Sequence, residues 1–125
     1  MEKLFTMLGA LFMFVGVGAG AFGAHGLSSY FNQYPNLAGT YDTAVRYHMI
    51  HGLALIAAAW AATRWPGALT TCSGYLFVAG ILIFSGSLYL LVFTRQSWLG
   101  AITPIGGVAF LGGWLLLALA AWRGA

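Results

Sequence analysis

The chain has 125 residues, 61% of them hydrophobic and 6% charged, and carries a net charge of +3. A soluble domain is roughly a quarter charged residues, so this composition excludes one and indicates an integral membrane protein. The cations Lys3, Arg46, Arg64, Arg95 and Arg123 are spread along the chain; nucleic-acid binding, which wants a clustered basic face, is not expected. The single Cys72 leaves no partner for an internal disulfide and no cysteine-built metal site.

At about 20 residues per spanning helix, this length holds four helices and their connections. The expected fold class is therefore all-α, an integral membrane four-helix bundle forming one domain over 1–125, with helices at about 4–24, 41–63, 70–93 and 102–122. The run from Leu4 to Ala24 follows Lys3 as a signal peptide would, but it exceeds the usual apolar core of up to about 15 residues and is read as a retained helix. It contains Gly16, Gly20 and Gly23, and Gly16 with Gly20 forms a small-xxx-small pair. Small residues let helix backbones approach in lipid, so this helix is expected at the centre of the bundle.

His25 to Thr40 is polar and punctuated, and reads as the one longer loop. Tyr30, Phe31 and Tyr34 suit the membrane interface, and Ser28 to Gln33 allows a short interfacial helix. Thr40 or Asp42 is expected to cap the second helix, since an oxygen-bearing side chain satisfies the free amides of a first turn. That helix opens on Tyr41-Asp42-Thr43-Ala44-Val45-Arg46-Tyr47-His48-Met49-Ile50-His51 and continues into an alanine-rich run before Arg64-Trp65-Pro66-Gly67. At about 100° per residue from Asp42, His51 falls at about 180° beside Ala58 at about 160°, whereas Arg46 lies near 40°. His51 is predicted to face the bundle and Arg46 to reach the loop or the headgroups.

The third helix is apolar until Phe84-Ser85-Gly86-Ser87-Leu88-Tyr89. The fourth opens on Thr103-Pro104-Ile105-Gly106-Gly107, with proline in a first turn where its missing N–H is not needed, and carries Gly112 and Gly113. Four alternating spans put both termini and the Arg64 turn on one side. The positive-inside rule then favours Lys3, Arg64 and Arg123 over Arg46 and Arg95, which gives a bacterial inner membrane location with both termini cytoplasmic. The same threading gathers His25, Asp42, Arg46, His51, Ser85, Ser87, Tyr89 and Thr103 in one leaflet, and the other leaflet is expected to be almost purely apolar. Polar groups at that depth are expensive unless they pair, so they are expected to satisfy one another and to form the one candidate ligand site.

The chemistry this cluster could support is narrow. Three histidines with Asp42 as the nearby carboxylate make a poor metal site, glycine-lined faces leave no room for a haem, and a proton relay lacks carboxylates at depth. Ser85 and Ser87 near His51 have no orienting acid for nucleophilic catalysis; serines in membrane helices more often hydrogen-bond across the bundle. No catalytic residue, cofactor or metal is assigned.

The motifs Gly20-Ala21-Phe22-Gly23-Ala24-His25-Gly26-Leu27, Ala44-Val45-Arg46-Tyr47-His48-Met49-Ile50-His51-Gly52-Leu53-Ala54-Leu55, Phe84-Ser85-Gly86-Ser87-Leu88-Tyr89 and Thr103-Pro104-Ile105-Gly106-Gly107 with Gly113-Trp114 resemble those of the small membrane proteins grouped as domain of unknown function 423, to which a vertebrate transmembrane protein is related. Here His48 stands at a position that is Gln-like in that family and Ile50 at a Tyr-like one, which directs attention to His25 and His51 rather than His48. The resemblance implies a four-helix membrane protein and supplies no reaction. Two functions are expected to compete. One is a non-catalytic accessory or structural subunit that packs laterally against a larger membrane complex, such as one of energy conversion, or against itself. The other is a binder or permeation protein for a small molecule, lipid or quinone-like ligand that uses the polar cluster.

Overall fold

A computed structural model describes residues 1–124. Helix α1 spans Glu2–His25, α2 Ser28–Gln33, α3 Pro35–Arg64, α4 Ala68–Gly80, α5 Gly86–Thr94 and α6 Thr103–Gly124. A π turn, Ile81–Ser85, joins α4 to α5 without a break, and a 3₁₀ turn, Ser97–Ala101, leads into α6. The described residues contain no strand. Three stretches are long and apolar enough to cross a membrane: Glu2–His25, Ala68–Thr94 and Ser97–Gly124. The 30-residue α3 is diluted by the polar groups of its first half.

The expectation of four plain rods is corrected in several places. The segment expected as a loop is largely helical, because α2 forms where a short interfacial helix was allowed and α3 starts six residues early, at Pro35. Neither Thr40 nor Asp42 caps α3; Tyr34 precedes it without a side-chain cap, and proline opens it. Proline suits a first turn because its fixed φ is already helical. The third rod is not uniformly α either, since the π turn inserts an extra residue into its winding.

The first helix is not central. It buries only Phe5, Gly9 and Gly16 and packs on α3, while Leu11, Phe14, Val15 and Val17 point outward. Helix α3 occupies the middle instead, with α1 on one side and the α4–α5 rod on another, and α6 packs chiefly on that rod. Its buried residues include Leu37, Tyr41, Ala44, His48, His51, Leu55 and Ala58, which alternate at four and three residues. Together they form one buried stripe along α3, shared between α1 (Tyr41, His48), the π turn (Ala44) and α6 (His51).

Lipid tails are as apolar as leucine, so close packing and hydrogen bonds hold such helices together. Aromatic rings lie flush on bare backbone: Phe5 on Gly74, Phe110 on Gly80, Phe77 on Gly113 and Tyr41 on Gly23. At Gly106 another backbone comes closest, because a Cβ there would meet the backbone of Phe84 in the π turn. Across α1 the glycines nearest α3 are Gly9, Gly16 and Gly23, seven apart, against Gly52, Met49 and Tyr41 respectively. The small-xxx-small pair is replaced by this heptad, for a Cβ added at Gly20 would stand at ordinary contact distance, 3.6 Å, from Val45. Gly107 has similar room, since a Cβ added there would lie 3.9 Å from Phe84 Cδ2.

Two apolar clusters result. One joins Phe5, Leu55, Ala58, Phe77, Ile81 and Phe110 in the interior. The other sits under α2, where Leu27, Leu37, Tyr41 and Val92 meet with Tyr30, Phe31 and Tyr89 against them. The rod ends at Arg95, whose φ of 58° is the left-handed conformation that stops helices.

Candidate functional site

Polar side chains of the interior converge on α3. His48 is 3% exposed; its Nε2 lies 2.8 Å from the Phe12 carbonyl of α1 and its Nδ1 2.9 Å from the Tyr89 hydroxyl of α5. A carbonyl can only accept, so in the neutral ring Nε2 carries the proton and Nδ1 accepts from Tyr89. One turn on, His51 is also 3% exposed and has the opposite tautomer. Its Nδ1–H donates to the Tyr47 carbonyl at 2.8 Å, and its Nε2 accepts from Trp114 Nε1–H of α6 at 3.0 Å. The His51 ring is stacked on Phe110, with centroids 3.5 Å apart and planes 8° apart.

Two further α3 contacts complete the pattern. Tyr41 donates its hydroxyl to the Ala19 carbonyl of α1, and Ser85 of the π turn donates to the Ala44 carbonyl at 2.8 Å. Both α1 carbonyls that accept from α3, Phe12 and Ala19, precede a glycine by four residues, Gly16 and Gly23. Side chains four apart lie above one another on a helix, so the missing Cβ leaves each carbonyl reachable by the His48 or Tyr41 ring.

The remaining residues predicted for the site are distributed around this axis rather than gathered. Ser87 and Thr103 share a hydrogen bond at 2.6 Å between α5 and the start of α6. Asp42 and Arg46 form an ion pair at 2.8 Å on the outer surface, with both side chains 66% exposed. His25 is exposed at the end of α1, and its ring makes no hydrogen bond among the described residues. Thus His25, Asp42 and Arg46 do not meet His51, and mutual satisfaction within one cluster is replaced by separate bonds to neighbouring helices. Nor is the opposite half purely apolar. There Ser73 donates to the Gly113 carbonyl at 2.8 Å, and Thr70 to the Trp65 carbonyl at 2.6 Å.

The reading by residue types missed His48, Tyr41 and Trp114 as site residues. The signal for the first two was present: both lie on the stripe that contains His51. Among the described residues, no buried side-chain nitrogen or oxygen lacks a hydrogen-bond partner. Each buried imidazole has both nitrogens engaged by protein atoms, so a metal or a proton acceptor role would first have to break an interhelical bond. A hollow of about 260 Å³ opens between α1 and α3 at Gly20, Gly23, Tyr41, Asp42 and Val45, with Asp42 its one ionisable carboxylate.

Comparison with known proteins agrees with a membrane protein. The family described as "Protein of unknown function (DUF423)" matches residues 19–107. The UPF0382 membrane protein YwdK of Bacillus subtilis is 46% identical over 121 residues, covering 95% of this chain and 96% of its own length. A UPF0382 membrane protein of Staphylococcus aureus is 44% identical over 123 residues, with 98% of each chain covered. One from Staphylococcus epidermidis is 42% identical over 118 residues, with 94% of each covered. No solved structure matches the chain. A match across these motifs and over nearly the full length of the relatives places the chain in the DUF423 family of membrane proteins.

Proposed function

We propose that this protein crosses the membrane four times, with α3 as the central span, and that it is a non-catalytic subunit packing laterally against another membrane protein or a second copy of itself. The observation that carries this reading is the saturation of the buried polar groups. His48, His51, Ser73, Ser85 and Tyr41 are each committed to a neighbouring helix. Groups so committed hold a bundle together; a nucleophile or general base must be free to exchange its proton. Glycine-mediated approach of the helices has the same role. The outer faces of α1 and α6 supply the packing surface: Leu11, Phe14 and Val17 on one, Val108, Leu111 and Leu115 on the other, all more than half exposed. Extraction in mild detergent followed by mass measurement should give a defined assembly containing this chain. A monodisperse monomer in nanodiscs without a co-purifying partner would overturn the proposal.

A second reading is favoured by the hollow beside Asp42, which could take the polar end of a lipid or quinone-like molecule at Tyr41 and Asp42. It requires that Gly20→Leu, which would fill the hollow next to Val45, abolish retention of such a molecule while the fold persists. Retention unchanged in that variant removes this reading.

A further inference from the structure

We infer that the end of the bundle carrying the termini has a binding site for the phosphate of an anionic phospholipid, built by Arg64 and Arg123. The four arginines are not equivalent. At the opposite end, Arg46 pairs with Asp42 at 2.8 Å, and Arg95 donates to the Tyr34 hydroxyl while its guanidinium sits 4.7 Å over the same ring. Arg64 and Arg123, in contrast, have no hydrogen-bond or ion-pair partner among the described residues, yet both line one open pocket of about 530 Å³. They come from different helices, the last turn of α3 and the last turn of α6.

The pocket between them is a fixed frame rather than two loose side chains. Gly67, at φ 141°, turns the chain back into α4 in a conformation that L side chains rarely adopt. Thr70, 1% exposed, ties the first turn of α4 to the Trp65 carbonyl at 2.6 Å. The Trp65 ring in turn lies flush on Gly124, where a Cβ would collide with it. The α3–α4 turn and the end of α6 are thereby held together with a guanidinium on each side. Ala68, Leu69 and Thr70 also line the pocket, and their amides precede the first intrahelical bond of α4, from Thr71 N–H to Gly67 O at 3.1 Å. Two cations and these amides suit a phosphate, which accepts bidentate bonds from arginine. At the end of a membrane span, the phosphates at hand belong to lipid headgroups, and basic pockets between spans are where anionic ones collect.

The test is titration of the delipidated full chain in neutral detergent with short-chain phosphatidylglycerol, with phosphatidylcholine and with inorganic phosphate, read by native mass spectrometry and by the rise in melting temperature. Phosphatidylglycerol should be retained over phosphatidylcholine. Its affinity should fall about fivefold in Arg64→Gln or Arg123→Gln and about thirtyfold in the double variant. The double variant Arg46→Gln with Arg95→Gln should bind as the unaltered protein does, and millimolar inorganic phosphate should not displace the lipid. All these side chains are exposed, so folding in phosphatidylcholine should be common to every variant and is checked by its melting temperature. Undiminished selectivity for phosphatidylglycerol in the Arg64/Arg123 double variant overturns the site. An equal loss in the Arg46/Arg95 variant also overturns it, because attraction would then be a matter of total charge. Stabilisation by inorganic phosphate alone, abolished in the Arg64/Arg123 variant, overturns the assignment to lipid and makes free phosphate the ligand.

Discussion

His48 shows how a residue's chemistry and its family position can point in different directions. A Gln-like position filled by histidine suggests tolerance, yet the ring is buried and bridges α1 to α5 through Phe12 O and Tyr89 OH. The two facts are compatible: glutamine also presents one acceptor and a donor and can meet a carbonyl and a hydroxyl with the same polarity. His48→Gln should therefore retain stability within about 1 kcal/mol. His48→Ala should lose about 2–3 kcal/mol, from two interhelical bonds worth about 0.6 kcal/mol each and the cavity left behind. Unfolding in detergent by heat or denaturant distinguishes the two; equal losses would mean that glutamine does not restore the two bonds of the imidazole. His51 was legible because its angular position coincides with the alanine face. Trp114 was not, because its pairing with His51 spans 63 residues of sequence and nothing local announces it.

Helix contacts follow a rule that residue lists alone do not show. A glycine matters when the neighbouring backbone or a buried ring occupies the place of its Cβ, and not because glycine is frequent. Gly106→Ala would drive a methyl group into the backbone of Phe84, and Gly9→Ala would press on the Gly52 carbonyl at 2.8 Å. Each should cost about 1–3 kcal/mol, the range for overpacking. Gly18→Ala and Gly86→Ala meet nothing within 4 Å and should be neutral or stabilising by about 0.5–1 kcal/mol, as expected where alanine replaces glycine within a helix. Melting temperatures of the four variants in one detergent check the ranking. Gly16 and Gly20 look alike in sequence, but α3 comes closest at Gly9, Gly16 and Gly23. How the two helices are rotated against each other makes that choice.

In the proposed arrangement of the whole molecule, α3 crosses the membrane even though its first half is polar. Burial makes this feasible, because Tyr41, His48 and His51 face helices rather than lipid, and the ion pair of Asp42 and Arg46 lies toward one end. With Cys72 replaced by alanine, single cysteines at the exposed positions Asn36, Ala68 and Gln96 report the threading. A membrane-impermeant maleimide added to intact cells should label Asn36→Cys and Gln96→Cys and reach Ala68→Cys only after lysis. Labelling of Asn36→Cys and Ala68→Cys from the same side would show that α3 does not span. Reversal of all three would invert the orientation given by Lys3, Arg64 and Arg123.

Composition alone was enough for the membrane, the all-helical class and the approximate position of each long helix, because hydropathy and turn residues act locally and lipid admits few backbone arrangements. The short α2 was also legible, since its polar and aromatic residues are contiguous and suit the interface. Which helix stands in the middle, which glycines are contacts, and which polar groups pair were decided only by the tertiary structure. Those outcomes depend on the rotation and crossing of one helix against another, and in a solvent as apolar as the side chains themselves, hydropathy says little about which face of a span turns inward.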